Sequence, residues 1–168
     1  MSRIGISCNT YYSTGIGHLW DRAKILKERG LFWNDVCKDS VTVMSAPCYV
    51  MRYEKNKIID AVALKIFASK INRKRTSSPL ILYVFHPDYL DYIDFIDYDY
   101  LIYHCYDDFV SMPGSDKDTK QKEHTLCKKA DLIFASSKAN VERFERDYLC
   151  KADFIPNGVN YKMFSDTN

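Results

Sequence analysis

The sequence contains little of what marks fibrous, disordered or low-complexity chains. Its 168 residues include only six glycines and five prolines, while 46% are hydrophobic and 27% are charged. Collagen-like and linker-like chains need far more glycine and proline, and disordered chains need fewer apolar residues. The length suits about one domain with a core of its own. The composition therefore predicts a folded, soluble domain.

The sequence also lacks an excess of charge of either sign. It has 24 Lys and Arg against 22 Asp and Glu, a formal charge of +2, which argues against a nucleic-acid partner bound through many phosphates. The balance hides an asymmetry, because residues 1–87 carry 14 basic and 6 acidic side chains and residues 88–168 carry 10 and 16. Either charges segregate by chance along successive helices, or the basic half favours an anionic partner.

Long hydrophobic runs and paired cysteine motifs are missing too. The longest apolar run, Leu80 to Phe85, is far shorter than a membrane span, and the amino terminus has no apolar segment of secretory length. The six cysteines form no C-x-x-C and have no histidine at zinc-finger spacing. These features predict buried thiols, no metal site and a cytoplasmic location.

What is present is an alternation of predicted strands and helices. The strands are expected at Arg3–Cys8, Val41–Ala46, Leu80–Phe85, Leu101–Tyr106, Asp131–Ala135 and Ala152–Ile155. Helices are expected from Leu19 to Gly30, over Lys57–Asn72, in short turns within Asp88–Asp99, over Asp116–Ala130 and from Ser137 to about Leu149, with a turn-rich loop over Asn9–Gly17. Continuous apolar strands are typical of sheets covered on both faces. The pattern predicts an α/β, Rossmann-like, doubly wound and mainly parallel sheet with helices on both faces, formed by residues 1–158.

Ligands of such sheets bind beyond the carboxyl ends of the strands, so the residues just after each strand are the candidates for a site. Gly15 and Gly17 could let a phosphate approach the backbone before a helix, or they form a turn without a ligand. A dinucleotide fingerprint is incomplete, because Trp20 stands where a third small residue is needed and Ser45 where an acidic one is needed. Phosphate-loop and nucleophile-elbow motifs are absent as well.

Titratable side chains supply candidate catalytic residues at the same positions. His18 could accept a proton from a hydroxyl, or it could cap the first helix. Asp107 and Asp108 could hydrogen-bond a polyol or orient a base, or they could cap the turn at Phe109. The remaining candidates for substrate binding follow other predicted strands and are His86, Ser136 and Asn157.

An ordered series of motifs between Tyr103 and Phe164 resembles the amino-terminal domain of GT-B glycosyltransferases of family 4. Its members are Tyr103-His104-Cys105-Tyr106-Asp107-Asp108-Phe109, Met112-Pro113-Gly114, Glu123, the run from Lys129 to Ser137, Ile155-Pro156-Asn157-Gly158-Val159-Asn160, and Phe164. The resemblance implies an enzyme that moves a hexose from a nucleotide-sugar to a glycan or lipid-linked acceptor, in cell-envelope polysaccharide synthesis. It implies that the Gly15 to Gly17 loop approaches donor phosphates or acceptor, and that Asp107 or Asp108 contacts sugar hydroxyls.

The resemblance also implies a second domain that grips the nucleotide-sugar donor, with residues 159–168 as the start of the linker to it. On that expectation the 168 residues alone bind acceptor, hold no cofactor of their own and transfer no sugar. Family 4 implies retention of stereochemistry, whereas Gly17-His18 is similar to inverting GT-B enzymes in which a histidine deprotonates the acceptor. The alternative function is a non-enzymatic Rossmann-like binding module, which is favoured if the encoding gene stops at Asn168.

The predicted helix from Lys57 to Arg75 is apolar on one face and basic at its end. It either packs as an ordinary surface helix or touches anionic lipid at the inner face of the membrane, as a lipid-linked acceptor would require.

Overall fold

The computed structural model describes residues 9–13, 15–38, 40–53, 55–112, 115 and 117–158. Contacts divide the chain into two compact units, residues 1–73 (the first unit) and residues 74–168 (the second unit). The expectation of one domain over residues 1–158 stays a prediction. The predicted strand Arg3–Cys8 lies outside the described residues.

The first unit combines short strands with two helices. In chain order these are β1 (Thr10–Ser13), β2 (Gly17–His18), α1 (Arg22–Glu28, after a 3-10 turn over Leu19–Asp21), β3 (Asn34–Lys38), β4 (Val41–Ser45), β5 (Met51–Arg52) and α2 (Lys57–Asn72). Strands β1 and β4 are parallel, β3 and β4 form an antiparallel hairpin, and β2 pairs with β5 in parallel. The predicted loop over Asn9–Gly17 is therefore wrong, because β1 and the first residue of β2 lie within it.

Helix α2 has the predicted bounds, and local chemistry explains them. The side chain of Asn56 accepts hydrogen bonds from the amides of Ile58 and Ile59, at 3.1 and 3.3 Å, which satisfies donors that a helix leaves open at its amino end. Ala63, Leu64 and Phe67 are among its buried residues. The Trp33 ring lies 6.1 Å from the Phe67 ring, so the segment before β3 packs on this helix.

The second unit is a four-stranded parallel sheet flanked by helices. Its elements are β6 (Ile81–Val84), α3 (Leu90–Ile93, after a 3-10 turn over Pro87–Tyr89), β7 (Tyr100–Cys105), α4 (Lys117–Lys129), β8 (Leu132–Ala135), α5 (Lys138–Arg143, continuing as a π-helical turn over Phe144–Tyr148) and β9 (Asp153–Phe154). The strand order is β6-β7-β8-β9 with every neighbouring pair parallel. Mixed α/β architecture with a parallel sheet is thus confirmed at this level.

The two faces of this sheet differ. Leu101, Tyr103 and Cys105 of β7 are fully buried in a core that Leu126 of α4 and Phe144 of the π-helical turn complete. Alternate residues face the other way because side chains alternate along a strand. Ile81 and Tyr83 of β6 are 56% and 39% exposed. The expectation that the Leu80–Phe85 run is covered on both faces is therefore wrong, and the doubly wound arrangement stays a prediction.

Candidate functional site

Two of the predicted binding residues meet at the carboxyl end of the second unit's sheet. The Ser136 hydroxyl donates a hydrogen bond of 2.8 Å to the Tyr106 carbonyl oxygen, and the Asn157 side-chain amide donates to the same oxygen at 3.5 Å. Ser136 follows β8, Asn157 follows β9, and Tyr106 follows β7. Parallel strands end at the same edge of a sheet, which is why residues 51 positions apart converge here.

The adjacent carboxylates Asp107 and Asp108 have different surroundings. Asp107 is exposed, and its Oδ1 accepts the Asp108 amide at 2.8 Å. Asp108 is half-buried, its Oδ1 accepts the Ser111 amide at 3.3 Å, and the same oxygen lies 3.7 Å from Nε of Arg143. Asp108 therefore fills the turn-capping role that was the alternative expectation, while Asp107 presents a carboxylate to solvent.

His86 follows β6 at the same edge. Its ring centroid lies 4.3 Å from that of Phe109, and its Nδ1 accepts a hydrogen bond from the Asp88 amide at 3.2 Å. Burial lowers the pKa of His86, and the opposing charge of Asp88 does not offset it. The lowered pKa favours the neutral ring, and the Asp88 amide bond to Nδ1 favours the tautomer that carries its proton on Nε2. His86 is suited to donating a hydrogen bond rather than to taking up a proton at Nδ1.

Aromatic rings line this edge. Phe109 is buried and its ring meets Tyr106 edge-on, with centroids 5.0 Å apart. The Tyr106 ring is 44% exposed and also lies 6.3 Å from Phe85, itself 39% exposed. Exposed rings beside hydrogen-bonding groups offer both an apolar surface and polar contacts, a combination that suits ligands with one apolar face.

A buried ionic cluster lies directly beneath these residues. Glu123 of α4 is fully buried and receives hydrogen bonds from the Tyr103 hydroxyl at 2.8 Å, the Tyr148 hydroxyl at 2.8 Å and both terminal nitrogens of Arg143 at 2.5 and 3.2 Å. The Arg143 guanidinium also lies 4.7 Å from the centroid of the Phe144 ring. A buried charge is tolerated only where it is paired and hydrogen-bonded in this way. We call Tyr103, Glu123, Arg143 and Tyr148 the ionic cluster.

The ionic cluster keeps its arginine charged and its phenols neutral. Burial opposes the charge on Arg143, yet the hydrogen bonds and the charge of Glu123 outweigh it and raise the arginine pKa. Burial, followed by the nearby Cys105 and Glu123, raises the pKa of Tyr103, and burial with the Glu123 hydrogen bond raises that of Tyr148. Arg143 therefore keeps a permanent positive charge, and its Nε lies 3.7 Å from Oδ1 of Asp108.

Glu123 was expected only as part of the family resemblance, and Arg143 was not expected at all. A signal was available for Glu123, because it precedes the buried Leu126 by three residues and so lies on the apolar side of α4. Arg143 directly precedes the buried Phe144, and adjacent helix residues point in different directions, so its burial had no comparable signal. Charged residues at core positions of a helix indicate buried partners. The partner itself could not be named without the fold.

Gly15 and Gly17 lie in the first unit, and the structure explains why glycine stands at both positions. Gly15 has φ of 69°, a left-handed conformation that side chains with a Cβ rarely adopt. A Cβ on Gly17 would lie 2.2 Å from Cδ1 of Ile25, so this glycine lets β2 approach α1 closely. Arg29 donates to the Gly15 carbonyl oxygen at 3.1 Å. The predicted phosphate contacts of Gly15 and Gly17 stay predictions.

His18 is also in the first unit, directly before the 3-10 turn that leads into α1, and its side chain makes no cap hydrogen bond there. It pairs in register with Arg52 of β5. Arg52 binds the carboxylate of Asp60 through Nε at 2.7 and 2.9 Å, and the charge of His18 contributes to lowering the pKa of Asp60. The surroundings of His18 are therefore ionic, and its catalytic role stays a prediction.

No group of three or more metal-ligating side chains is present among the described residues. Within the same ranges, no helix is both long and apolar enough to cross a membrane. No protein-family model matches the chain, and no curated protein matches it. The structure shows a mixed α/β protein. At the carboxyl edge of the second unit's sheet, polar and aromatic side chains lie above the buried ion pair of Arg143 and Glu123.

Proposed function

We propose that the chain is the acceptor-binding part of a glycosyltransferase, and that the sugar acceptor binds at the carboxyl edge of the second unit's sheet. The observation that carries the proposal is the convergence of Ser136 and Asn157 on the Tyr106 carbonyl beside the exposed carboxylate of Asp107. The ordered motifs from Tyr103 to Phe164 that resemble family 4 enzymes support the assignment to this class. The parallel sheet of the second unit is compatible with it.

Sugar recognition needs hydrogen-bond acceptors, donors and an apolar surface, and this edge offers each. The Asp107 carboxylate can accept from a pair of sugar hydroxyls, and charged acceptors form the stronger hydrogen bonds. Neutral His86 offers the Nε2 proton as a donor. The exposed rings of Tyr106 and Phe85 offer the apolar surface on which the C–H face of a sugar packs.

The chemistry assigned to the complete enzyme is transfer of a hexosyl group, with retention of configuration. The bond between the anomeric carbon and the diphosphate oxygen breaks, the anomeric carbon bonds to the acceptor oxygen, and the acceptor's hydroxyl proton leaves with the nucleotide diphosphate. On this proposal the second unit holds the acceptor oxygen in place for that step, and orientation is its contribution to the rate. The donor sugar is bound elsewhere in the enzyme.

Arg143 and Asp108 support the site without touching the sugar. Asp108 fixes the turn that follows Asp107 through the Ser111 amide, and Arg143 fixes Asp108 from the core side. The position of Asp107 thus depends on a chain of contacts that ends at the buried Glu123. Binding groups held by such a supporting layer lose less entropy when the ligand arrives.

The test is an amide chemical-shift titration of the isotope-labelled chain with oligosaccharides, nucleotide-sugars and free nucleotides. We expect oligosaccharides to shift the amides of Asp107, Asp108, Ser136 and Asn157, and Asp107→Asn to weaken binding about tenfold because a charged acceptor is lost. Asp97→Asn is the matched control, since Asp97 is an exposed aspartate preceding β7. Silence of these amides toward every glycan would contradict the proposal, as would tight dinucleotide binding at Gly15 and Gly17.

A further inference from the structure

Helix α2 exposes an aliphatic face. Ile58, Ile59, Val62 and Ile66 are 77%, 51%, 52% and 42% exposed, and we call these four residues the aliphatic face. Their spacing of one, three and four residues places them on one side of the helix, opposite the buried Leu64 and Phe67. A single exposed isoleucine is ordinary, but four on one face of a helix mark a surface that contacts something apolar.

Every charged side chain on the exposed side of α2 is basic. Lys65 is exposed within the helix, and Arg73 is exposed directly after it. The one acidic residue of the helix, Asp60, is buried and bound by Arg52. The first unit as a whole contains 12 basic and 6 acidic side chains, and the second contains 12 and 16. The partner of the aliphatic face is therefore expected to be anionic as well as apolar.

We propose that the aliphatic face of α2 docks on a phospholipid surface that contains anionic head groups. The isoleucines and the valine enter the boundary between head groups and acyl chains, while Lys65 and Arg73 meet the phosphates. Apolar burial supplies part of the affinity, and the attraction of basic side chains to the negative surface supplies the rest. The inference does not depend on the sugar site, because it rests on residues of the first unit alone.

The test is flotation of the full chain with vesicles of phosphatidylcholine alone or with 30% phosphatidylglycerol, at low and high salt. We expect binding to the anionic vesicles, at least about tenfold weaker binding to the neutral ones, and loss of most binding in high salt. Val62→Gln with Ile66→Gln should weaken binding to anionic vesicles by about tenfold or more, because apolar area no longer enters the bilayer. Lys65→Gln with Arg73→Gln should weaken it by about tenfold, at roughly 1 kcal/mol per basic residue.

Leu149→Gln is the matched control, because Leu149 is an aliphatic residue of the second unit that is 89% exposed. It should leave vesicle binding unchanged. Circular dichroism should be the same for all these variants, since each replaces an exposed side chain. Equal binding to neutral and anionic vesicles, or no binding to either, would overturn the proposal. So would a dimer in sedimentation that Val62→Gln with Ile66→Gln dissociates, because the face would then join two copies of the chain.

Discussion

Each unit contains a buried ion pair, but the side chains that the two units expose to solvent differ. In the second unit Arg143 and Glu123 are joined by two phenols and surrounded by a large core. In the first unit Arg52 and Asp60 form a smaller pair, 6% and 8% exposed, beside a helix whose other side is aliphatic and exposed. The second unit therefore supports its polar edge on a buried, paired core, whereas the first unit presents an apolar helix face to solvent.

Breaking the ionic cluster should cause the largest loss of stability. Arg143→Met leaves the carboxylate of Glu123 buried without its cation, at a cost of about 3–5 kcal/mol. The measurement is the free energy of unfolding in urea, followed by a signal from the second unit. The double variant Glu123→Gln with Arg143→Met should lose less than Arg143→Met alone, because no unpaired charge remains. Equal losses would show that the pair is not coupled.

A matched pair of leucines compares the two cores. Leu126 of α4 is fully buried in the large cluster of the second unit, and Leu64 of α2 is 5% exposed. Leucine-to-alanine changes in cores cost about 2–5 kcal/mol, more where the surroundings cannot close the cavity. We expect Leu126→Ala in the upper half of this range and Leu64→Ala in the lower half. The reverse order, measured by urea unfolding, would contradict the comparison.

The pair of Arg52 and Asp60 should make the first unit sensitive to acid. Burial opposes ionisation of Asp60, but the hydrogen bonds from Arg52 and the Tyr53 amide, with the Arg52 charge, lower its pKa below the ordinary value. When folding lowers the pKa of a carboxyl group, the ionised group stabilises the fold at any pH above the pKa of the unfolded chain. That stability is lost as the pH falls through the pKa of the folded protein.

Asp60→Asn should therefore lower stability at pH 7 by about 1.5–3 kcal/mol, the worth of hydrogen bonds to a charged group, and should flatten the acid limb of the stability profile. Asp97→Asn provides the control, because the Asp97 side chain is 69% exposed and its ion pair with Arg75 lies at the surface, where such pairs add little stability, so the profile should stay close to that of the parent. An unchanged acid limb in Asp60→Asn would contradict the assigned role of the pair.

The sequence predicts elements with strong local signals well. Helix α2 follows from its helical period and from the cap residue Asn56. Strands β6, β7 and β8 follow from their apolar runs to within a residue or two. Strand β1, with the sequence Thr10-Tyr11-Tyr12-Ser13, has no such run, and it is a strand because β4 pairs with it residue by residue. Pairing of that kind is a tertiary effect that local propensity does not contain.

The site was only partly predictable for the same reason. That Ser136 and Asn157 would meet followed from the shared edge of a parallel sheet. That both would use the Tyr106 carbonyl, and that Asp108 would face Arg143, depends on the course of the turn after β7. Glu123 and Arg143 lie 20 residues apart on different helices, and only packing brings them together.

Hydrogen–deuterium exchange of the full chain, with an oligosaccharide in one sample and anionic vesicles in another, tests the division of roles between the units most directly. We predict that the oligosaccharide slows exchange at residues 105–111 and 155–158 and leaves residues 57–72 unchanged. Vesicles should slow exchange in residues 57–72 and leave the second unit's strand ends unchanged. Protection of the same segments by both ligands, or of neither region by its assigned ligand, would contradict the account.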